Sequence, residues 1–177
     1  GKDFVKVLDE LTKENVKGII LDMRGNPGGV VDSAVEIGDA ILPKGTFVTL
    51  KNNKNEIIDE YKLDENYNNI KMVVLVNEGS ASASEILAGA ISDLHRAKIV
   101  GKTTYGKGVV QNVIGLPDGD GLKLTISEYF TPSGKSINKK GVKPDVEVEL
   151  PEDIKGIGVD YKDTDTQLKK AIEMIEK

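Results

Sequence analysis

Alternating serines and one isolated lysine in the middle of the chain could together carry out nucleophilic chemistry. Ser80, Ser82 and Ser84 alternate with alanine in the segment GSASASE, immediately before a run of apolar residues at helical spacing. Lys107 follows in the segment YGKG, between two glycines. A serine hydroxyl followed along the chain by an isolated lysine suggests a serine–lysine dyad, in which serine is the nucleophile and lysine the general base.

Each of these signals also has a purely structural explanation. Ser82 and Glu85 fit the S-x-x-E capping box, in which the two side chains satisfy amides at a helix N-terminus. Lys107 could equally be an exposed loop lysine, flanked by ordinary hairpin glycines. His95 is not an alternative base, because thirteen helical residues at about 1.5 Å each would place it about 20 Å from Ser82. The chemistry therefore depends on whether the fold brings Ser82 and Lys107 together.

Composition argues against several other functions. The chain has no cysteine and one histidine, which rules out thiol catalysis and cysteine or polyhistidine metal sites, and we expect no metal and no cofactor. A formal net charge of −5 and an aromatic content of 5% argue against nucleic acid as a partner. The apolar runs are too short to span a membrane, and no secretion signal begins at Gly1.

Strands and helices are predicted to alternate in the first half of the chain. Residues 2–15 carry apolar side chains at helical spacing, and residues 19–21 form a short β-branched run typical of a buried parallel strand. A glycine turn of sequence GNPGG then leads to a second helical pattern at residues 30–42. Residues 72–76 lead in the same way, through small residues, to the serine helix. Two strand–turn–helix units imply a parallel α/β core.

The second half of the chain is predicted to contain more β-structure. The two expected hairpins combine residues 46–51 with 57–61 and residues 109–116 with 122–130. We expect the strand after Lys107 to lie at a sheet edge. A last short strand is predicted around Val146 and Val148, and Asp163 or Asp165 is expected to cap a final helix.

Four segments resemble a known family: GSASASEILAGAISD, TTYGKGVVQ, LDMRGNPGG and TPSGKSINKKGVKPD. They resemble the carboxyl-terminal processing, or tail-specific, proteases, which are serine endopeptidases of the S41 type. The resemblance implies a ClpP/crotonase-like α/β fold, with a parallel sheet, flanking helices and C-terminal β-hairpins, in one peptidase core of residues 1–177. Family members also carry a PDZ domain and an N-terminal cap, so the chain is expected to be a fragment.

The resemblance also implies roles for individual residues. Ser82 is expected to be the nucleophile and Lys107 its general base. Gln111, four positions further on, is expected to orient the lysine. The amides of Ala83 and Gly28 are expected to form the oxyanion hole. These five residues are the predicted catalytic machinery.

Two further expectations concern the surroundings of Lys107. The strand containing Val109 and Val110 is expected to bind substrate by pairing with it along a sheet edge. A lysine can act as a base only in its neutral form, which burial away from charged groups favours. We therefore expect Lys107 to be buried among apolar side chains without a carboxylate partner.

The activity implied by the resemblance is cleavage of extended polypeptides near their C-termini by a Ser–Lys dyad. The expected partners are polypeptides with exposed C-termini, and the full-length protein is expected to be a homo-oligomer. Its expected location is extracytoplasmic: secreted, periplasmic or membrane-associated. Two alternatives stay open. The chain could be a catalytically silent peptide-binding or assembly module, or a crotonase-type acyl-CoA enzyme, which the α/β pattern allows but the serine–lysine pairing does not support.

Overall fold

A computed structural model describes residues 1–65, 67–117 and 119–177 of the chain. The helices of these parts are α1 (Lys2–Lys13), α2 (Val31–Ile41), α3 (Ala83–Asp93) and α4 (Thr166–Glu176), with a short 3-10 helix at Val159–Tyr161. The strands are β1 (Ile19–Asp22), β2 (Gly45–Lys51), β3 (Ile57–Leu63), β4 (Met72–Val76), β5 (Lys98–Gly101), β6 (Val109–Gly115), β7 (Gly121–Phe130) and β8 (Val146–Glu147). None of the helices in the described ranges has the length and apolar character needed to cross a membrane.

Parallel strands form the first sheet, in the order β1-β4-β5-β8. This confirms the parallel α/β core predicted from the two strand–turn–helix units. β4 is buried along its whole length. β1 is only partly buried, because it lies at the edge of the sheet. The prediction of a parallel strand at residues 19–21 is therefore confirmed. The prediction that this strand is buried is wrong.

Helices cover both faces of the parallel sheet. Side chains of a strand alternate between the two faces, and in β4 Val73 and Leu75 pack with Leu168 of α4. Val74 belongs instead to the larger core, which includes Ile86 of α3. β4 is thus held between α3 and α4, and the N-terminus of α3 lies where β4 ends.

The second sheet is antiparallel, with strand order β3-β2-β7-β6. Both predicted hairpins are present, and β2 pairs with β7 to join them into one sheet. β6 is an edge strand, as predicted, and its sequence VVQNVIG carries no charge. The turn between β6 and β7 includes Asp118, which lies outside the described residues.

The C-terminal part returns to the parallel sheet. The predicted last strand forms as β8, which pairs in parallel with β5. Of the two candidate caps, Asp165 is the one used, because its side chain accepts a hydrogen bond from the Leu168 amide at 3.0 Å. This residue also takes part in a buried ion cluster.

The cluster is centred on Arg24, whose side chain is fully buried between β1 and α4. Its Nη2 lies 2.6 Å from Asp22 Oδ2 and 2.8 Å from Asp165 Oδ2, and its Nη1 donates to Gln167 Oε1 at 3.0 Å. Burial disfavours the charged guanidinium, but the bonds to Asp22 and Asp165 outweigh it and raise the pKa of Arg24. The cluster fixes the C-terminal helix to the segment that begins the glycine turn.

Candidate active site

Ser82 occupies the N-cap position of α3, at the turn that follows β4. Its backbone angles, φ 56° and ψ −119°, are rare for a residue with a side chain. Such strain persists only where neighbouring contacts hold it, and it is concentrated at functional sites. Here the turn is fixed by the fully buried Ser80, whose hydroxyl donates to the Met23 carbonyl at 2.8 Å.

The glycine turn GNPGG packs directly against the backbone around Ser82. Gly28 has a φ of +93°, and a β-carbon at this position would lie 2.5 Å from the Ala81 carbonyl oxygen and 2.8 Å from the Ala83 amide nitrogen. A side chain would therefore collide with the serine turn, and only glycine allows the approach. The Ala81 amide also donates to the Asn26 carbonyl at 3.1 Å. The structure thus brings together Ser82, Ala83 and Gly28.

The amides at this junction differ in their availability. The Ala83 amide has no acceptor among the described residues, as is usual in the first turn of a helix. The Gly28 amide instead donates to Asn26 Oδ1 at 2.9 Å. A side-chain acceptor therefore occupies the amide that was expected to complete the oxyanion hole. Gly28 becomes available only when Asn26 turns away.

Glu85 joins the serine turn to the loop that carries Lys107. Its side chain is fully buried, and its Oε2 accepts from the Ser82 amide at 3.0 Å and from the Lys107 amide at 2.8 Å. Its Oε1 accepts from the Gly106 amide at 2.6 Å and from the Thr104 hydroxyl. Sequence reasoning assigned Glu85 only to a capping box and missed its bonds to the loop. The available signal was an acid placed among the apolar and small residues of α3.

The glycines on either side of Lys107 allow its loop to pack against a second loop. The Lys139 amide donates to the Gly106 carbonyl at 2.8 Å. A β-carbon at Gly108 would lie 2.4 Å from the Asn138 amide nitrogen. Both glycines therefore allow close packing between the two loop backbones, which a hairpin turn alone would not require.

The Lys107 side chain is exposed, so the expectation of a buried lysine is wrong. Gly106 and Gly108 provide no side chains that could enclose the amine, and the strand that follows is an open sheet edge. Within the described parts of the chain, the amine forms no ion pair or hydrogen bond. It is therefore not hydrogen-bonded to the Ser82 hydroxyl in this structure.

The other predicted residues lie along β6. Val109 and Val110 are half-buried at the start of the strand, close behind Lys107. The register between β6 and β7 shifts between Val110 and Gln111. Gln111 is exposed, and its side-chain amide lies 3.5 Å from Thr125 Oγ1 rather than on the lysine. The structure thus keeps the valines near Lys107 and directs Gln111 elsewhere.

An apolar cavity of about 360 Å³ opens beside Gly28 and Ala83. Its apolar walls include Phe4, Leu21, Ile37 and Leu87. Ligand cavities of this size are usually apolar with few polar groups, so an apolar side chain could occupy it beside Ala83. Among the described residues, no three His, Asp or Glu side chains are grouped to hold a metal ion.

The chain is similar in sequence to known proteins. The model of peptidase family S41 matches residues 1–148. A carboxy-terminal-processing protease of Bartonella bacilliformis is 43% identical over 157 residues, which cover 86% of this chain and 36% of the relative. The carboxy-terminal processing protease CtpA of Bacillus subtilis is 38% identical over 183 residues, which cover 99% of this chain and 39% of the relative.

A solved structure shares the fold. The photosystem II D1 C-terminal processing protease matches with a TM-score of 0.77 and 41% sequence identity, over 86% of this chain and 40% of that chain. The chain spans 33–41% of the length of the first curated relatives that it matches. Because the family model covers most of the chain and the relatives are closely similar, the chain belongs to peptidase family S41.

Proposed function

We propose that residues 1–177 act as one catalytic core, a serine endopeptidase that cleaves extended polypeptides near their C-termini. Ser82 is the nucleophile and Lys107 the general base. The observation that carries this proposal is that one buried carboxylate, Glu85, binds the backbone amides of both residues. A protein without catalytic activity would not require the amides of a strained serine and of a lysine loop to bind the same oxygen atom, Glu85 Oε2.

The proposed chemistry uses a nucleophile, a general base and donors for the developing oxyanion. The Ser82 hydroxyl attacks the substrate carbonyl and transfers its proton to the neutral amine of Lys107. The Ala83 amide and the N-terminus of α3 stabilise the negative charge that develops on the carbonyl oxygen. Gly28 supplies the second amide once Asn26 releases it. Protonated Lys107 then gives its proton to the leaving amine. The neutral amine next takes a proton from a water molecule that attacks the acyl-serine, and returns this proton to the Ser82 oxygen as the acid product leaves.

Lys107 must approach Ser82 for this reaction, and its environment supports such a movement. The amine has no partner to release among the described residues, and the side chain rotates about four bonds. The backbone amide meanwhile stays bonded to Glu85. In this proposal, Gln111 orients the lysine after leaving Thr125. Substrate on the open side of the loop would exclude water from the amine and favour its neutral form.

The substrate is proposed to lie along β6. Its unpaired edge, which begins at Val109 and Val110, can add an extended strand through main-chain hydrogen bonds. The cavity beside Ala83 then accommodates an apolar side chain at the cleaved bond. One structural neighbour is named as a processing protease of the D1 C-terminus. By this likeness we propose polypeptides with exposed C-termini as substrates, a homo-oligomeric full-length protein and an extracytoplasmic location.

A second candidate is a catalytically silent peptide-binding module. The observation that favours it is the exposed Lys107, which is not in hydrogen-bond contact with Ser82. Both candidates use the edge of β6 to bind a peptide. They differ in whether the Ser82 hydroxyl is reactive.

Covalent labelling separates these two candidates. A fluorophosphonate probe should modify Ser82, identified by mass spectrometry of the labelled peptide, and should leave Ser82→Ala unmodified. A peptide substrate should slow the labelling, and the same peptide with alternate backbone amides N-methylated should slow it less, because it cannot pair with β6. Labelling on another serine, or none at all, would favour the silent module.

A β-carbon at Gly28 should impair this reactivity strongly. We expect Gly28→Ala to slow the labelling of Ser82 by roughly 10²- to 10³-fold, the usual effect of losing one oxyanion donor. The alanine would collide with the Ala81 carbonyl oxygen and disfavour the positive φ. Gly29→Ala is the matched control, because its β-carbon meets no atom within 4 Å. Equal labelling rates in two folded variants would contradict the role of Gly28.

A further inference from the structure

Glu85 is a buried acid without a basic partner. Its side chain is 0% exposed, and no lysine, arginine or histidine of the described residues forms an ion pair with it. A buried carboxylate is strongly destabilising unless hydrogen bonds replace the water it has lost. The carboxylate therefore calls for a specific explanation.

The hydrogen bonds indicate that Glu85 is ionised. Three of its partners are backbone amides, which can only donate, and the fourth is the hydroxyl of Thr104. Thr104 Oγ1 also accepts from the Val142 amide at 2.7 Å, which leaves the hydroxyl hydrogen for Glu85. Four donors thus converge on two oxygens, and a protonated acid would direct its own hydrogen against one of them. The N-terminus of α3 further stabilises the negative charge.

These bonds fix both halves of the site at once. The Ser82 amide and the Lys107 amide share Oε2, so one atom determines how closely the two backbones approach. The hydrogen bond from the Ser82 amide to Oε2 also stabilises the strained turn, because relaxation of the Ser82 backbone would break this bond. The bond to the Gly106 amide, on Oε1, keeps the lysine loop from sliding along the helix.

We propose that the ionised carboxylate of Glu85 is the positioning residue of this site, which sets the separation of Ser82 and Lys107 through their backbones. It touches neither substrate nor the transferred proton. The effect of Glu85 on catalysis rests on the proposed function, whereas its effect on the separation of the two backbones does not. Two kinds of measurement are therefore needed.

The first variant is Glu85→Gln, which keeps the shape but replaces one acceptor oxygen by an NH₂ group that faces two donors whichever oxygen it replaces. We expect amide hydrogen exchange at Ser82, Gly106 and Lys107 to accelerate at least about tenfold, while the amides of β4 keep their protection. Misplacement of the reacting groups should slow fluorophosphonate labelling of Ser82 by about 10²-fold. In peptide cleavage, kcat should fall and KM should change little.

Two milder variants, both at Thr104, test the same role if Glu85→Gln does not fold. Thr104→Ser keeps the hydroxyl donor and should label at the wild-type rate, whereas Thr104→Val removes it and should label about tenfold more slowly. Equal rates for this pair, or wild-type labelling and exchange in a folded Glu85→Gln protein, would overturn the positioning role. Faster exchange without slower labelling would also overturn it. A wild-type protein that is never labelled at Ser82 would reject the proposed function itself, while the exchange data would still decide the geometry.

Discussion

Replacement of Lys107 by methionine should reduce peptide cleavage by roughly 10³-fold, the order expected when a general base is lost. Methionine keeps the length and flexibility of the side chain but cannot accept the proton of Ser82. The backbone amide at this position would still bond to Glu85, so the loop geometry should persist. Measuring kcat with a saturating fluorogenic peptide isolates the chemical step from substrate binding.

Two further lysine variants complete this experiment. Lys123→Met removes an exposed lysine of β7, which is paired in register with Val113, and should cleave at the wild-type rate. Lys107→Arg should be as inactive as Lys107→Met, because a guanidinium does not give up its proton in proteins. If Lys107→Met retained a rate within about threefold of wild type, another group would have to take the proton, and the dyad would be rejected.

Replacement of Arg24 by methionine should lower the free energy of unfolding by about 3–5 kcal/mol, as found when one partner of a buried ion pair is removed. The side chains of Arg24 and Asp165 are both 0% exposed, so the variant leaves Asp165 with a buried, uncompensated charge. Gln167 would lose its donor as well. Urea denaturation followed by circular dichroism measures the change.

An exposed pair and a double variant provide the controls. Lys44→Met breaks an ion pair with Glu65 that is largely exposed on both sides, and should cost less than about 1 kcal/mol. Arg24→Met combined with Asp165→Asn should be more stable than Arg24→Met alone, because no unpaired charge is left and asparagine still caps α4. If Arg24→Met lowered the free energy of unfolding no more than Lys44→Met does, the cluster would contribute little to stability.

The same cluster predicts a dependence on pH. Burial raises the pKa of Asp165, but hydrogen bonds from Arg24, Gly158 and Leu168 outweigh it and lower the pKa below that of a free aspartate. Its stabilising effect is therefore present above the unfolded pKa of about 3.9 and is lost as the pH falls through the lower folded value. Denaturation of Arg24→Met should show a weaker decline over this acidic range.

Local patterns predicted most of the scaffold around the site. The parallel sheet followed from short apolar runs that lead through small residues into helical spacing. The cap Asp165 was one of two candidates, and the edge position of β6 was predicted together with its expected pairing with substrate. These features depend on neighbours in the sequence, where periodicity and turn residues carry the signal.

The contacts that organise the site could not be predicted in the same way. Glu85 showed its capping bond through the spacing of three residues, but its bonds to Thr104, Gly106 and Lys107 depend on how a distant loop folds back. The exposure of Lys107 depends on what covers the edge of β6, which no local pattern reveals. Asn26 likewise gave no sign that its side chain would bind the Gly28 amide.

The ion pair of Arg24 has a consequence for synthesis of the chain. Arg24 and Asp165 are 141 positions apart, so translation delivers the cation and its first counter-ion, Asp22, long before the second. A nascent chain can therefore not bury this guanidinium in its final setting until the C-terminal helix has left the ribosome. Formation of the ion cluster is thereby delayed until α4 has been synthesised, and shorter nascent chains lack the anchor of the segment that precedes the glycine turn.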